Sequence, residues 1–363
     1  MDEIISRKNL YIDLAELIGQ NIPCVIATVG ETDGSTPQKP GSSAIFTARG
    51  LMFGTVGGGQ VEHNIQKEAA DALNAKRSGY YPFNLNDDIT DPDPVVCGGE
   101  MAVLMDASPE KHFSTFQKLR ESYSHRKPGV LITIAEPGEE GEKKLERFWF
   151  NQDTQMEFAG KITREVTEMA ENMLRRAKPG DFNRIIIEVP DQKENTLVFF
   201  ESIIPLPELI IAGAGHVGKA LSHLSNLLDF EVTVWDDREE YANKNNLPDA
   251  ARVISGSIET TLTNIKVTED TFIVIVTRGH RLDSEVLRKF IDSSAGYIGM
   301  IGSKKKIVQT RELFIEKGWA TQEQWDRLYA PIGLDINSKT VQEIAVSIAA
   351  QLVQVRYALK NEK

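Results

Sequence analysis

Apolar residues at Leu10, Tyr11, Leu14, Leu17 and Ile18 recur at helical spacing, and the run PCVIATV (23–29) behind them reads as a buried strand. GETDGSTPQKPGSS (30–43) is rich in turn residues and predicts a loop. SAIFTA and LMFGTV then flank Arg49-Gly50 as a hairpin. Three glycines at 57–59 lead into the helical pattern QVEHNIQKEAADALNAK. After VVCGGEMAVLMD (95–106) the pattern predicts helix, strand, a charged loop EPGEEGEKKLER, strand, and the helix ITREVTEMAENMLRRA. Strands RIIIEV and TLVFFESII close this half, which is expected to form an α/β domain on a mixed sheet.

PLPE (205–208) marks a boundary, so domains are expected over 1–205 and 206–363. Beyond it, the strands LIIAG, EVTVWD, RVISG, FIVIVT and AGYIGMIG alternate with helical segments, ending on the helix VQEIAVSIAAQLVQVRYALK. That alternation predicts a doubly wound parallel sheet with helices on both faces.

Composition narrows the class. The 363 residues are 41% hydrophobic and 26% charged, ordinary for a soluble protein. No apolar stretch has the length of a membrane span, and MDEIISRKNL lacks the apolar core of a signal peptide. Two cysteines, Cys24 and Cys97, are too few for a disulfide framework, so a cytoplasmic location is expected. A net charge of −12 argues against a nucleic-acid surface. An anionic ligand must then be held by backbone amides and a few placed cations.

IIAGAGHVGKAL (210–221) supplies such amides. Gly213, Gly215 and Gly218 form G-x-G-x-x-G between a strand and a helix, and Asp236 ends the next strand, where a ribose diol is held in dinucleotide-binding folds. His216 lies within the loop. Read as G-x-x-x-x-G-K, the same stretch lacks the Ser or Thr that binds Mg²⁺, because Ala220 follows Lys219. VTRGHRLD (276–283) and GMIGSKKK (299–306) follow the fourth and fifth strands of this half. Strand ends at the switch point bind ligands, so Arg278, Gly279, His280, Arg281 and Asp283 are expected to face the glycine loop, with Lys304, Lys305 and Lys306 available to a phosphate. Asp283 or Ser284 capping a helix and solvated lysines are the plain alternatives.

In the first half, Gly57, Gly58 and Gly59 expose amides at a helix start, with Glu62 in its first turn. Glu62 serves the helix dipole equally well. Cys97 precedes two glycines that leave its sulfur unshielded, as a soft-metal ligand or sulfur carrier requires, although a buried thiol is a common alternative. Cys24 reads as core. Zinc and serine-hydrolase signatures are absent.

Taken in order, GSTPQKPGSSAIF, GTVGGGQVEHNI, VVCGGEMAVLMD, LIIAGAGHVGKAL, VTVWDDREEYAN, VTRGHRLD, YIGMIGSKKK and APIGLDINSKTVQEIAVSIAAQL resemble the XdhC/CoxI family over nearly the whole chain. The resemblance implies a family-specific N-terminal domain ahead of a Rossmann domain, often in a homodimer. It implies a maturation factor, not a classical enzyme. Such a factor binds molybdenum cofactor as the plain pterin or a dinucleotide form, protects it, and helps it receive sulfur from a cysteine desulfurase. It then delivers the cofactor to a xanthine dehydrogenase-type molybdenum hydroxylase. On that resemblance Cys97 is a candidate for contacting molybdenum or the transferred sulfur, and Gly57, Gly58, Gly59 and Glu62 line the pterin site. Pro37-Gln38-Lys39 departs from the family's Pro-Arg, keeping a charge but losing bidentate phosphate recognition. An NAD(P)-dependent oxidoreductase is the competing reading, with His280 a candidate catalytic residue. Tyr241 and Lys244 are three apart, one short of the Tyr-x-x-x-Lys spacing.

Overall fold

The computed structural model describes residues 9–85, 98–153, 164–176, 180–188 and 194–361. They belong to two compact units that meet in sequence between Pro205 and Leu206.

The first unit runs α1 (Leu10–Gly19), β1 (Cys24–Gly34), β2 (Ser43–Thr47), β3 (Gly50–Gly54), α2 (Gly59–Ala75), β4 (Gly79–Asn84) and β5 (Gly99–Asp106). It continues with α3 (Phe113–Ser124), β6 (Gly129–Pro137), β7 (Lys143–Phe150), α4 (Arg164–Arg176), β8 (Phe182–Ile187) and β9 (Thr196–Ile203). Asn9 starts α1 by accepting the Tyr11 N–H at 3.0 Å, and the expected stripe Tyr11, Leu14, Leu17 and Ile18 is buried. Gly50, at φ +95°, makes the β2–β3 turn.

The mixed sheet expected here is instead two sheets, ordered β3-β2-β1-β5-β4 and β7-β6-β9-β8, with every described pair antiparallel. Short links such as those between β2 and β3 or β6 and β7 force antiparallel pairing, because a parallel return needs a long crossover. Two expected loops are partly strand. β1 runs on to Gly34 past a register shift at Val29/Glu31, and the charged segment contributes Lys143–Arg147 to β7. β4 was not legible, since its Pro82 reads as a strand breaker.

Alternation then sorts the side chains. Val25, Ala27, Val103 and Met105 pack on α2 through Val61, Ile65 and Ala69, while Val130, Ile132, Val198 and Phe200 pack on α4 through Val166, Ala170 and Met173. The intervening positions Leu104, Ala135 and Phe199 meet between the sheets. Polar residues share that inter-sheet layer. Arg147 Nε donates to Asp106 Oδ2 at 3.1 Å and its Nη1 to Thr133 Oγ1 at 3.0 Å.

The second unit runs β10 (Glu208–Ala212), α5 (His216–Leu227), β11 (Glu231–Asp236), β12 (Arg252–Ser255), α6 (Ile258–Thr261), β13 (Thr271–Ile275) and α7 (His280–Phe290). β14 (Tyr297–Met300), α8 (Lys304–Glu316), α9 (Gln322–Asp326), β15 (Leu328–Tyr329) and α10 (Val341–Asn361) complete it. Its sheet is parallel, ordered β12-β11-β10-β13-β14-β15, the doubly wound order with a switch point at β10. Leu209, Ile211, Val232 and Val234 pack beside Leu221 of α5 and Ile348 and Leu352 of α10. Ile210, Ile273 and Ile275 pack on the other face with Val286 and Phe290 of α7 and Phe314 of α8. The two-residue β15 carries no hydrophobic period and was not predicted from the sequence. Among the described residues, no helix is long and apolar enough to cross a membrane.

Candidate functional site

The chain leaves β10 through Gly213 and enters α5 at Gly215. Gly213 has φ +123°, and a Cβ there would stand 2.3 Å from the Val276 carbonyl oxygen. A Cβ on Gly218 would stand 1.8 Å from the Gly213 carbonyl oxygen. Packing therefore demands both glycines. Gly215 differs, because a Cβ there meets nothing within 4 Å. As the α5 N-cap it brings no side-chain hydrogen bond, so first-turn amides face open space. His216 is the first, exposed residue of α5, and Lys219 donates to Asn246 Oδ1 at 3.0 Å.

Asp236 holds the loop itself. Its Oδ2 accepts from the Ala214 N–H at 2.8 Å and Arg238 Nη2 at 3.1 Å, and its Oδ1 from Arg238 Nε at 2.9 Å and Arg238 N–H at 3.1 Å. A carboxylate offers about four lone-pair sites, and all are filled. Burial pushes this carboxyl up, but the Arg238 and Ala214 hydrogen bonds outweigh it and hold it below the ordinary value. A ribose diol thus reaches Asp236 only by displacing Arg238, whose guanidinium lies 3.8 Å from the Tyr241 ring centroid.

Arg278 follows β13 and donates to Asp237 Oδ2, after β11, at 2.7 Å. Since β10 lies between those strands, the pair straddles the end of β10. Beyond it, the ends of β13 and β14 enclose a cavity of about 230 Å³, lined by Arg278, Gly279, His280, Asp283, Ser303 and Lys306 among others. Lys306 lines it and Lys304 does not. Gly279 is the α7 N-cap and leaves open space at its Cβ position. Asp283 does not cap α7. Its Oδ1 reaches back to the Thr277 N–H at 3.0 Å and the Thr277 hydroxyl at 2.7 Å. Burial pushes its carboxyl up to about 6, against the lowering by those hydrogen bonds and by His280 and Lys306. A carboxyl near neutrality beside an imidazole can hold and pass a proton.

In the first unit, Gly58 caps α2 without a side-chain bond, and Cβ positions on Gly58 and Gly59 are open. A Cβ on Gly57 would stand 3.0 Å from Val61 Cγ1. Glu62 Oε1 accepts from the Thr55 hydroxyl at 2.9 Å, so it is tied to the loop ahead of its helix. Cys24 is core, its thiol pushed up to about 12 by burial and then by Asp106 and Glu110. Cys97 lies outside the described residues.

Sequence reasoning missed a second buried centre. The Tyr11 hydroxyl donates to Glu201 Oε2, and burial pushes the Glu201 carboxyl up to about 7 despite Tyr11 and Arg147. The available signal was a lone Glu in the apolar run TLVFFESII. Among the described residues, no group of three or more His, Cys, Asp or Glu is placed to hold a metal ion.

Comparison with known proteins bears on the family and the fold. Residues 209–352 match the model of the XdhC Rossmann domain, and residues 17–84 that of the XdhC and CoxI family. A Bacillus subtilis (strain 168) protein, named as a probable subunit of xanthine dehydrogenase, is 24% identical over 352 residues, covering 96% of this chain and 98% of that one. The uncharacterized protein YqeB of Escherichia coli (strain K12) is 23% identical over 349 residues; the match covers 96% of this chain but spans only 46% of YqeB. A crystal structure of a xanthine dehydrogenase from Bacillus halodurans shares the fold, with a TM-score of 0.70 at 24% identity over 96% of each chain.

Proposed function

Because this chain belongs to the XdhC and CoxI family, we propose that it is an accessory factor that binds molybdenum cofactor and delivers it to a xanthine dehydrogenase-type molybdenum hydroxylase. The observation that carries this reading is the glycine loop. It opens amides to a phosphate at Gly215 while the acceptor that reads a ribose, Asp236, is saturated. That combination suits a phosphate-bearing ligand that needs no ribose contact, and molybdopterin ends in a phosphate. Gly215 and the first-turn amides of α5 would hold that phosphate, with Gly213 and Gly218 shaping the turn and Arg278 and Lys306 as the nearby cations. When bound, the cofactor supplies the molybdenum centre that the target enzyme uses. Cys97 is the proposed contact during sulfuration, with a cysteine desulfurase as partner, and the factor works in the cytoplasm as a homodimer.

The test is what the purified protein carries. Produced anaerobically with molybdate, the wild type is expected to hold molybdenum by mass spectrometry and pterin by fluorescence after oxidation. Gly215→Val, whose side chain enters open space, is expected to fold normally and lose most of both. Absence of molybdenum and pterin from the wild type would overturn the reading.

A second reading, an NAD(P)-dependent oxidoreductase, draws on the cavity with Asp283 and His280 at the ends of β13 and β14. It predicts saturable NAD(H) binding that Arg238→Ala strengthens by freeing Asp236, or NADP(H) binding that the same change weakens by removing the cation for the 2′-phosphate.

A further inference from the structure

The first unit has a cavity of its own. About 410 Å³ opens between the start of α1, the β2 and β3 ends, and the end of β9, a volume that suits a small heterocyclic ligand. Its described lining includes Leu10, Phe53, Ile203 and Ile204 as apolar surfaces and Glu201 and Asp13 as acidic groups. No Lys or Arg is in that lining, so the cavity does not suit an anion. Lys39 reaches its rim, its Nζ 3.8 Å from the Cβ position of Gly180.

Glu201 stands at its floor. The same residue also lines a small void between the two sheets, beside Thr133 and Arg147. Its Oε2 accepts from the Tyr11 hydroxyl, and Tyr11 is 2% exposed and stacked on Phe116 at 5.9 Å. That bond fixes the carboxylate, while Oε1 accepts no hydrogen bond among the described residues. A fixed carboxylate edge under apolar walls selects a flat ligand with a donor edge, since two parallel N–H···O bonds require coplanarity. A hydrated metal ion fits poorly, because apolar walls cannot replace its water shell.

We propose that this cavity binds a 2-amino-4-oxopyrimidine ring, the edge shared by pterins and guanine, and that Glu201, held by Tyr11, accepts its ring N–H and amino group. The pterin form of the proposal rests on the maturation reading above; the guanine form does not.

The test is direct binding to the full chain, followed by ligand fluorescence and calorimetry. Probes are 6-hydroxymethylpterin, guanosine, and lumazine, which carries an oxo group in place of the amino group. At least tenfold tighter binding of pterin or guanosine than of lumazine is expected, because losing a donor leaves a buried acceptor unpaired. Whichever of the two binds tighter identifies the source. Glu201→Gln is expected to abolish that preference, and Tyr11→Phe to weaken binding several-fold while keeping it. Equal affinity for all three probes, or no binding of any to the wild type, would overturn the proposal. So would a folded Glu201→Gln that keeps full preference. Tight pterin binding by a protein that carries no molybdenum cofactor from cells would sink the maturation reading alone. Cofactor carried normally by a wild type that binds no probe would sink this inference alone.

Discussion

Asp283 and Glu201 are both carboxyls raised towards neutrality by burial and steadied by a hydroxyl, one beside a cavity in each unit. The hydroxyls come from very different distances along the chain. Thr277 lies 6 positions from Asp283, within one strand-to-helix connection, whereas Tyr11 lies 190 positions from Glu201. The first pairing is a consequence of local geometry that any doubly wound sheet repeats at its strand ends. The second exists only because two antiparallel sheets and a helix assemble around it. Polar chemistry in the first unit is therefore bound up with its tertiary packing, and in the second unit with a loop.

The largest effect that sharpens this contrast is at Arg147. Arg147 and Asp106, both nearly fully buried, join β7 to β5 across the inter-sheet layer. Arg147→Ala leaves the Asp106 charge buried without its guanidinium and is expected to cost about 3–5 kcal/mol. Urea denaturation followed through Trp149, the one tryptophan of the first unit, measures this. A double change, Arg147→Met with Asp106→Leu, is expected to recover much of the loss, since apolar replacement of a buried pair is often neutral. A loss below about 1 kcal/mol in Arg147→Ala would show that the layer is wetter and looser than its burial implies.

The next effect tests the local pairing. Asp283 ionises near 6 in the folded chain and near 3.8 in the unfolded one, so the folded state binds the proton more tightly. Its contribution is fully present below about pH 4 and is lost as pH rises through 6. Asn at this position keeps the acceptor for Thr277 and never ionises. Asp283→Asn is therefore expected to match the wild type at pH 4 and to exceed its stability at pH 8, by on the order of 3 kcal/mol. Denaturation at both values checks it, and a difference independent of pH would mean that Asp283 is not the group responsible.

The same contrast explains what the sequence reveals. The strand–glycine–helix signature located Gly213, Gly215 and Gly218, and the order of strands and helices located Arg278 and His280 at the end of β13, where they line the cavity between the β13 and β14 ends, because spacing along the chain encodes those relations. It did not reveal that Asp236 spends all its acceptors on Ala214 and Arg238, since Asp at a strand end looks the same whether free or engaged. Lys306 lines the cavity in place of Lys304 because helical phase at the start of α8 decides which of three lysines turns inward. Glu201 and Arg147 were invisible for another reason. Each sits on the inter-sheet face of a strand, and nothing local says that the face opposite will be a second sheet rather than water.

The smallest stability effect belongs to Arg278, and it isolates function from folding. Its pair with Asp237 is half exposed on the arginine side, at 54%, so breaking it is expected to change stability by less than about 1 kcal/mol. Its position is another matter, because the pair spans the end of β10 beside the open Gly215. If the guanidinium turns from Asp237 to a bound phosphate, Arg278→Ala lowers affinity for the phosphorylated ligand roughly tenfold or more at unchanged stability, and the loss shrinks as salt rises. Asp237→Asn then has the opposite effect, since it releases the arginine without removing it. Equal, opposite shifts from neighbouring positions on different strands are difficult to obtain from misfolding. Affinity unchanged in both variants would leave this ion pair as a strut between strand ends and return the phosphate to the backbone amides of α5 alone.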